Sequence, residues 1–286
     1  IKRLNVSMML VEIVLIILSL TVLLVAAIFD IRTKEIPDTL SYGFIIAALG
    51  ISLLYSISAS EYNIFFLNTL GFVVMLTLGI ILYYLKIWGG GDSKLLMGLG
   101  AATSAFNISG FPFISILLIM ITLVGGVYAF GSALLMYKSN FKKVNKEMKS
   151  ELEKNKINRV RLLLFAFVFV ILIFFVSNSG LQIVLSIIAV TIILLFYIHI
   201  FVSVIHKVGF LEETPLSKVT EGDWLAKDVK VKGKIICSAK SPCIDKKQIT
   251  LLKKHKVSKV WIKVGIPFVP AILIAMVITT ILYVVL

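Results

Sequence analysis

Apolar residues along the chain fall into long blocks separated by short polar breaks. The blocks run for roughly 16 to 25 residues, the length a helix needs to cross about 30 Å of hydrocarbon. A soluble core would instead show shorter amphipathic stripes. Eight spans are predicted, at about 8–29, 40–58, 63–85, 93–109, 112–137, 161–177, 180–205 and 266–286. The first lacks a small-residue cleavage site and reads as a span, not a removable signal. The fourth is atypical. It carries Gly98, Gly100, Thr103, Ser104 and Asn107, so it is expected among other helices, where small residues let backbones approach closely.

Two segments are hydrophilic. Residues 138–160 interleave Lys and Glu, as a solvated helical loop would. Residues 206–265 read as a small α+β domain. There Val229, Val231 and Ile235–Ile236 lie in a strand-like stretch, Asp245 can cap a helix KKQITLLKKH, and VSKVWIKV reads as a second strand. The expected fold class is an all-α polytopic membrane protein of about eight transmembrane helices, with a small α+β cytoplasmic domain. Its parts are a five-span core (1–137), a basic loop (138–160), two further spans (161–205), the small domain (206–265) and a last span (266–286).

Composition agrees: 59% of residues are hydrophobic and mean hydropathy is +1.03. Charge adds the orientation. The net charge is +14, and 27 of the 29 basic residues lie in alternate connections, leaving Lys2 and Arg3 on the other side. The positive-inside rule puts those connections in the cytoplasm and the N-terminus outside. Anionic lipid headgroups then account for the charge, at about 1 kcal/mol per near-surface Lys or Arg, and nucleic acid is not needed as a partner. The two cysteines, Cys237 and Cys243, form no disulfide framework. With His206 and His255 they also lack the paired CxxC spacing of a zinc ribbon, so no metal or organic cofactor is implied.

Two polar stretches stand out in so apolar a chain. FDIRTKEIPDTLS places Asp30 at the cytoplasmic end of span 1, and WGGGDSKLL places Asp92 between spans 3 and 4. A carboxylate at the edge of hydrocarbon is expensive and usually has a task. Gly89, Gly90 and Gly91 are poor helix formers, suited to an unwound backbone or to close approach by another chain. Asp30 and Asp92 face the same side of the membrane, and within reach of each other they would share one proton and titrate as a pair. Aspartic proteases use such a pair: one carboxylate takes a proton from water and the other hydrogen-bonds the carbonyl oxygen.

Plainer readings stand beside this one. Asp30 fits an interfacial loop of mixed charge, and Asp92 fits the N-cap of span 4. Asp38 fits an N-cap of span 2, Lys94 fits a residue reaching for headgroups or for the dyad, and Glu12 fits an internal hydrogen bond.

Asp30 followed by Ile36-Pro37-Asp38 resembles the D-x5-IP-[ND] pattern of type IV prepilin peptidases and archaeal preflagellin peptidases. Gly89-Gly90-Gly91-Asp92, with Lys94 after it, resembles their GxGD-x-K motif. The resemblance covers residues 8 to about 137. It implies Asp30 and Asp92 as the catalytic pair of a membrane-embedded aspartic endopeptidase, with Gly89, Gly90, Gly91, Lys94, Ile36, Pro37 and Asp38 shaping the site. The implied partners are precursors with a short charged leader before a hydrophobic helix, namely archaellins and type IV pilins. The expected location is the cell membrane, with the site cytoplasmic. With no paired CxxC motifs ahead of Asp30, a methyltransferase activity is not expected. Two alternatives use the same aspartates. A presenilin-like protease would favour Tyr before the first Asp, where Phe29 stands. A proton-coupled transporter would favour midplane acids and inverted repeats.

Overall fold

A computed structural model describes residues 6–85, 87–175, 178–231, 234–238, 244–255, 257–263 and 265–286. Lys2, Arg3 and Cys243, named above, lie outside the described residues. The chain divides into two compact units, Ile1–Phe130 with Gly265–Leu286, and Gly131–Val264.

The first unit holds α1 (Val6–Thr33), α2 (Asp38–Ala59), α3 (Asn63–Tyr84), α4 (Gly90–Thr103), most of α5 (Phe113–Ser139) and α10 (Val269–Val285). In the second, α8 spans Ser179–Gly209. Among the described residues, α1 from Met8, α2, α3, α5 and α8 are long and apolar enough to cross a membrane, and α10 is a shorter apolar helix. The chain is a helical, multi-pass membrane protein.

Helix α4 departs from expectation. It ends at Thr103, giving 14 residues and a length of roughly 21 Å, short of a full crossing. A two-strand hairpin follows, β1 (Asn107–Ile108) and β2 (Phe111–Pro112). Its turn residues Ser109 and Gly110 both have positive φ, as a tight hairpin turn requires. Asn68 on α3 secures the end of α4. Its carbonyl oxygen accepts from Ala105 N at 2.9 Å, and its amide donates to Ser52 Oγ of α2 at 2.9 Å. In an apolar solvent every freed backbone group must find such a partner inside the protein.

The small residues of α4 do what small residues do between membrane helices. A Cβ on Gly100 would sit 2.6 Å from the Gly71 carbonyl oxygen of α3, and one on Gly98 would fall 2.2 Å from the Phe44 ring of α2. Buried Leu95, Leu96 and Leu99 fill the remaining contacts. Helix α4 is therefore embedded among its neighbours, as expected, and its start is fixed against them.

In the second unit, α6 (Phe141–Lys154) is amphipathic, with Val144 buried beside Ile200, Val204 and Ile205 of α8. Helix α7 follows at Lys156–Phe174. Beyond α8 lies a small α+β fold. It comprises β3 (Leu211–Pro215), β4 (Trp224–Leu225), β5 (Val229–Val231), β6 (Lys234–Cys237), α9 (Lys246–Lys254) and β7 (Lys259–Lys263). Strands β3, β7 and β4 form one antiparallel sheet in that order, and β5–β6 a separate hairpin. The cap expected at Asp245 is present: its carboxylate accepts from Gln248 N at 2.6 Å, and Gln248 Oε1 accepts from Asp245 N at 3.1 Å. The capping box explains why the helix begins there. Strands β3 and β4 were not expected. β3 contains two Glu and a Pro, and β4 has two residues, so neither shows an alternating pattern.

Candidate active site

Asp30 stands one turn before the end of α1, where Lys34 takes a left-handed conformation (φ 56°) and returns its N–H to the Asp30 carbonyl at 2.9 Å. The side chain is 7% exposed. Its Oδ2 accepts a hydrogen bond from the main-chain N–H of Val269, the first residue of α10, at 2.9 Å. A buried carboxylate without such a donor would be costly.

Asp92 lies in the first turn of α4. It is not the N-cap, a place taken by extended Gly89 (φ −68°, ψ 159°). Its Oδ2 instead reaches back three residues to accept from Gly89 N at 3.2 Å. The aspartate is thus held over the glycine run, partly exposed, and the charge of Asp30 acts on it directly. The two carboxylates are 62 residues apart in sequence, yet the fold brings Asp92 within electrostatic reach of Asp30.

The motif glycines have separable tasks. Gly91 provides close approach: a Cβ there would meet Ile36 Cδ1 at 2.8 Å and Ile36 Cβ at 3.0 Å. The Ile-Pro-Asp stretch is therefore seated on the glycine run. Gly90 faces the Tyr83 ring, with 3.6 Å to its would-be Cβ. None of the three needs a positive φ, so contact is the reason at Gly91.

Pro37 is the N-cap residue of α2 and Asp38 its first helical residue, with no side-chain cap bond. The capping role considered for Asp38 is replaced by an ion pair with Lys94 of α4. The Lys94 ammonium also lies 5.1 Å from the centre of the Tyr42 ring. Lys94 thus ties α4 to α2. Of the residues singled out, Ile36 meets Gly91 and Asp38 pairs with Lys94 between the start of α2 and α4, Gly90 faces Tyr83 of α3, and Asp30 is bonded to α10.

The structure adds residues that the motifs do not contain. Phe268, just before Val269, packs on Trp88 with ring centres 5.5 Å apart. It also leaves no room for a side chain at Gly125 of α5, where a Cβ would be 2.7 Å from the ring. Tyr128, one turn further along α5, feels the Asp30 charge. Trp88 adjoins the glycine run and was legible as part of that motif. Phe268 and Val269 follow it by 180 residues, with no local signal beyond Pro270 at a helix start. Among the described residues no group of three or more His, Cys, Asp or Glu is placed to hold a metal ion.

Comparison with known proteins finds relatives for part of the chain. Residues 17–130 match the type IV leader peptidase family. That stretch contains both aspartates and both motifs. The chain is also 34% identical to the preflagellin peptidase of Methanocaldococcus jannaschii over 86 residues, which is 30% of this chain and 36% of that protein. It is 33% identical to the preflagellin peptidase of Methanococcus maripaludis over 86 residues, 30% of this chain and 37% of the relative. With the Methanococcus voltae enzyme of the same name the identity is 31% over 84 residues, 29% of the chain and 36% of the relative. The chain thus spans little more than a third of the length of these curated relatives. No solved structure matches it.

Proposed function

We propose that the protein is a membrane-embedded aspartic endopeptidase that removes the short N-terminal leader of preflagellin- or prepilin-type precursors. The observation carrying this reading is that Asp30 and Asp92 are each held by a main-chain amide, with Asp92 within reach of the Asp30 charge. The matched family and the names of the relatives support the leader-processing part of this reading.

In this mechanism the pair shares one proton. One carboxylate takes a proton from a water molecule as that water attacks the scissile carbonyl carbon. The other hydrogen-bonds the carbonyl oxygen, on which negative charge develops, and a proton then passes to the leaving amine as the C–N bond breaks. Ile36, Gly89, Gly90 and Gly91 fix the geometry between the two aspartates, and the Asp38–Lys94 pair holds α2 against α4.

The excess of Lys and Arg in alternate connections supports an orientation with the N-terminus outside and the site at the cytoplasmic face. Residues 206–265 are cytoplasmic in the same arrangement. The membrane segments of this reading are α1, α2, α3, α5, α7, α8 and α10, together with the shorter, embedded α4. The leader of an archaellin or type IV pilin precursor would lie in the cytoplasm, with the cut made just before its hydrophobic helix.

The test is cleavage of such precursors in detergent by wild type, Asp30→Asn and Asp92→Asn. Wild type trims the leader, and each single variant loses about 10³-fold or more in kcat, because a shared-proton pair fails as a unit. Variants that still cut at wild-type rates would remove the dyad from the mechanism.

A further inference from the structure

We propose that the N-terminus of α10 is the positioning element for Asp30, acting through the main-chain N–H of Val269. The proposal rests on the reading of Asp30 as a catalytic carboxylate. It assigns a role to a part of the chain that lies outside both sequence motifs and outside the matched stretch 17–130.

A helix start leaves its first N–H groups without acceptors inside the helix. At the start of α10 these groups are nearly all accounted for. Pro270 has no N–H to offer, and the amides of Ala271 and Ile272 return to the Phe268 carbonyl at 3.0 and 3.4 Å. The Val269 amide goes to Asp30 Oδ2 at 2.9 Å. The carboxylate therefore meets the positive end of a helix through a donor that cannot rotate away, unlike a side chain. A donor fixed by backbone holds Asp30 Oδ2 in place, and the main chain of the preceding Phe268 also acts on the same carboxylate.

Two further features keep that donor in register. Phe268 is wedged between Trp88 and the bare backbone of Gly125, so the chain entering α10 cannot slide. At the far end, Tyr283 donates its hydroxyl hydrogen to Glu12 of α1. Its ring packs on Phe113 and Phe106, with centres 5.7 and 6.3 Å away. Glu12 and Asp30 are 18 residues apart, about five turns of α1, and so lie on one helix face. Val269 and Tyr283, at opposite ends of α10, meet them in reverse order. Helix α10 thus runs antiparallel to α1, clasped by a polar contact at each end, and one of the two contacts is to the candidate catalytic group.

The experiment removes the donor and keeps the side chain. Replacing the Val269 amide by its α-hydroxy analogue puts an ester oxygen where the N–H was. Val269→Pro removes the same N–H but also strains Phe268, which lies in the αR region that a following proline disfavours, so the ester is the deciding variant, and Val269→Ala retains the N–H. Leader cleavage is measured with wild type and Asp30→Asn as references. The expected result is a fall in kcat of about 10- to 100-fold for the ester and for Val269→Pro, the scale of one lost hydrogen bond to a charged group. KM should stay within about twofold, and Val269→Ala, which loses buried side-chain packing but keeps the N–H, should lose clearly less kcat than the ester. An ester variant with wild-type kcat, beside an inactive Asp30→Asn, would overturn this inference and leave the protease reading standing. A loss in Val269→Ala as large as in the ester would overturn it too, since side-chain packing would then be the cause. A wild type that cuts no precursor overturns the protease reading, and this inference with it.

Discussion

The two compact units solve different problems with the same kind of helix. In the first, 44% of the most apolar stretch of α1 is buried against neighbours, while the corresponding stretch of α8 in the second is 11% buried. Polar groups follow the same division. The first unit buries Glu12, Ser19, Asp30, Ser52, Asn68, Thr103 and Thr279 with a partner for each, and it also buries the hydroxyls of Ser41 and Ser56 on α2 without one. The second unit keeps its charged pairs, such as Lys246–Glu221 and Lys259–Glu213, at the surface. In hydrocarbon a buried polar group is costly, most of all when it is unsatisfied. The unit that carries the candidate chemistry is the one that accepts this cost.

The largest expected effect comes from the close contacts. A Cβ on Gly100 meets backbone, the Gly71 carbonyl oxygen at 2.6 Å, whereas one on Gly209 in the second unit meets the flexible Met136 side chain. Gly100→Val should destabilise the first unit by about 4 kcal/mol or more, the range of severe overpacking. Gly209→Ala should cost about 1 kcal/mol or less, because Met136 can change rotamer. Thermal unfolding in detergent checks both, and equal losses would dissolve the contrast between the units.

A smaller effect tests whether the units are energetically separate. Leu252 of α9 is fully buried in the small core with Leu216, Val219, Ile244 and Val260. Leu252→Ala should cost about 2–5 kcal/mol. The loss should appear as faster amide exchange between residues 211 and 263, while α1 to α4 stay protected. If protection in α1 falls equally, the chain unfolds as one body.

The smallest effect is electrostatic. The ammonium groups of Lys207 and Lys154 hold the Glu151 carboxyl below its usual range. A carboxylate depressed in the folded state contributes stability above its unfolded pKa, near 4.3. That contribution is lost as pH falls through the lower folded value. Acidification below about pH 4.5 should therefore loosen the packing of α6 against α8 in wild type, and Glu151→Gln should lack that step. The shift will be small and salt-sensitive, since both lysines are substantially exposed. Exchange rates of α6 amides between pH 6 and pH 3 read it out, and identical profiles would show that the pair adds nothing.

Much of the site was legible before any coordinates. The two aspartates, the glycine run and the Ile-Pro-Asp stretch are short, local and chemically odd in an apolar chain. The side chain of Asp92 was misplaced by three helical positions, because glycine at the N-cap shows no capping side chain in the sequence. The end of α4 was placed six residues late. Hydropathy continues past Thr103, and the Asn68 bond that stops the helix comes from 37 residues earlier.

By itself the sequence determined the membrane character, the ladder of helices, the capped α9 and the residues able to carry acid–base chemistry. These follow from hydrophobic runs, turn residues and motif spacing, all of which are local. Only the tertiary structure decided that Ile36 seats on Gly91, that Lys94 goes to Asp38, and that α10 returns along α1 to place an amide on Asp30. Those contacts join segments dozens to hundreds of residues apart. The amide donor at Val269 is main chain, which every residue except proline supplies, so nothing in its identity announces the partner it finds.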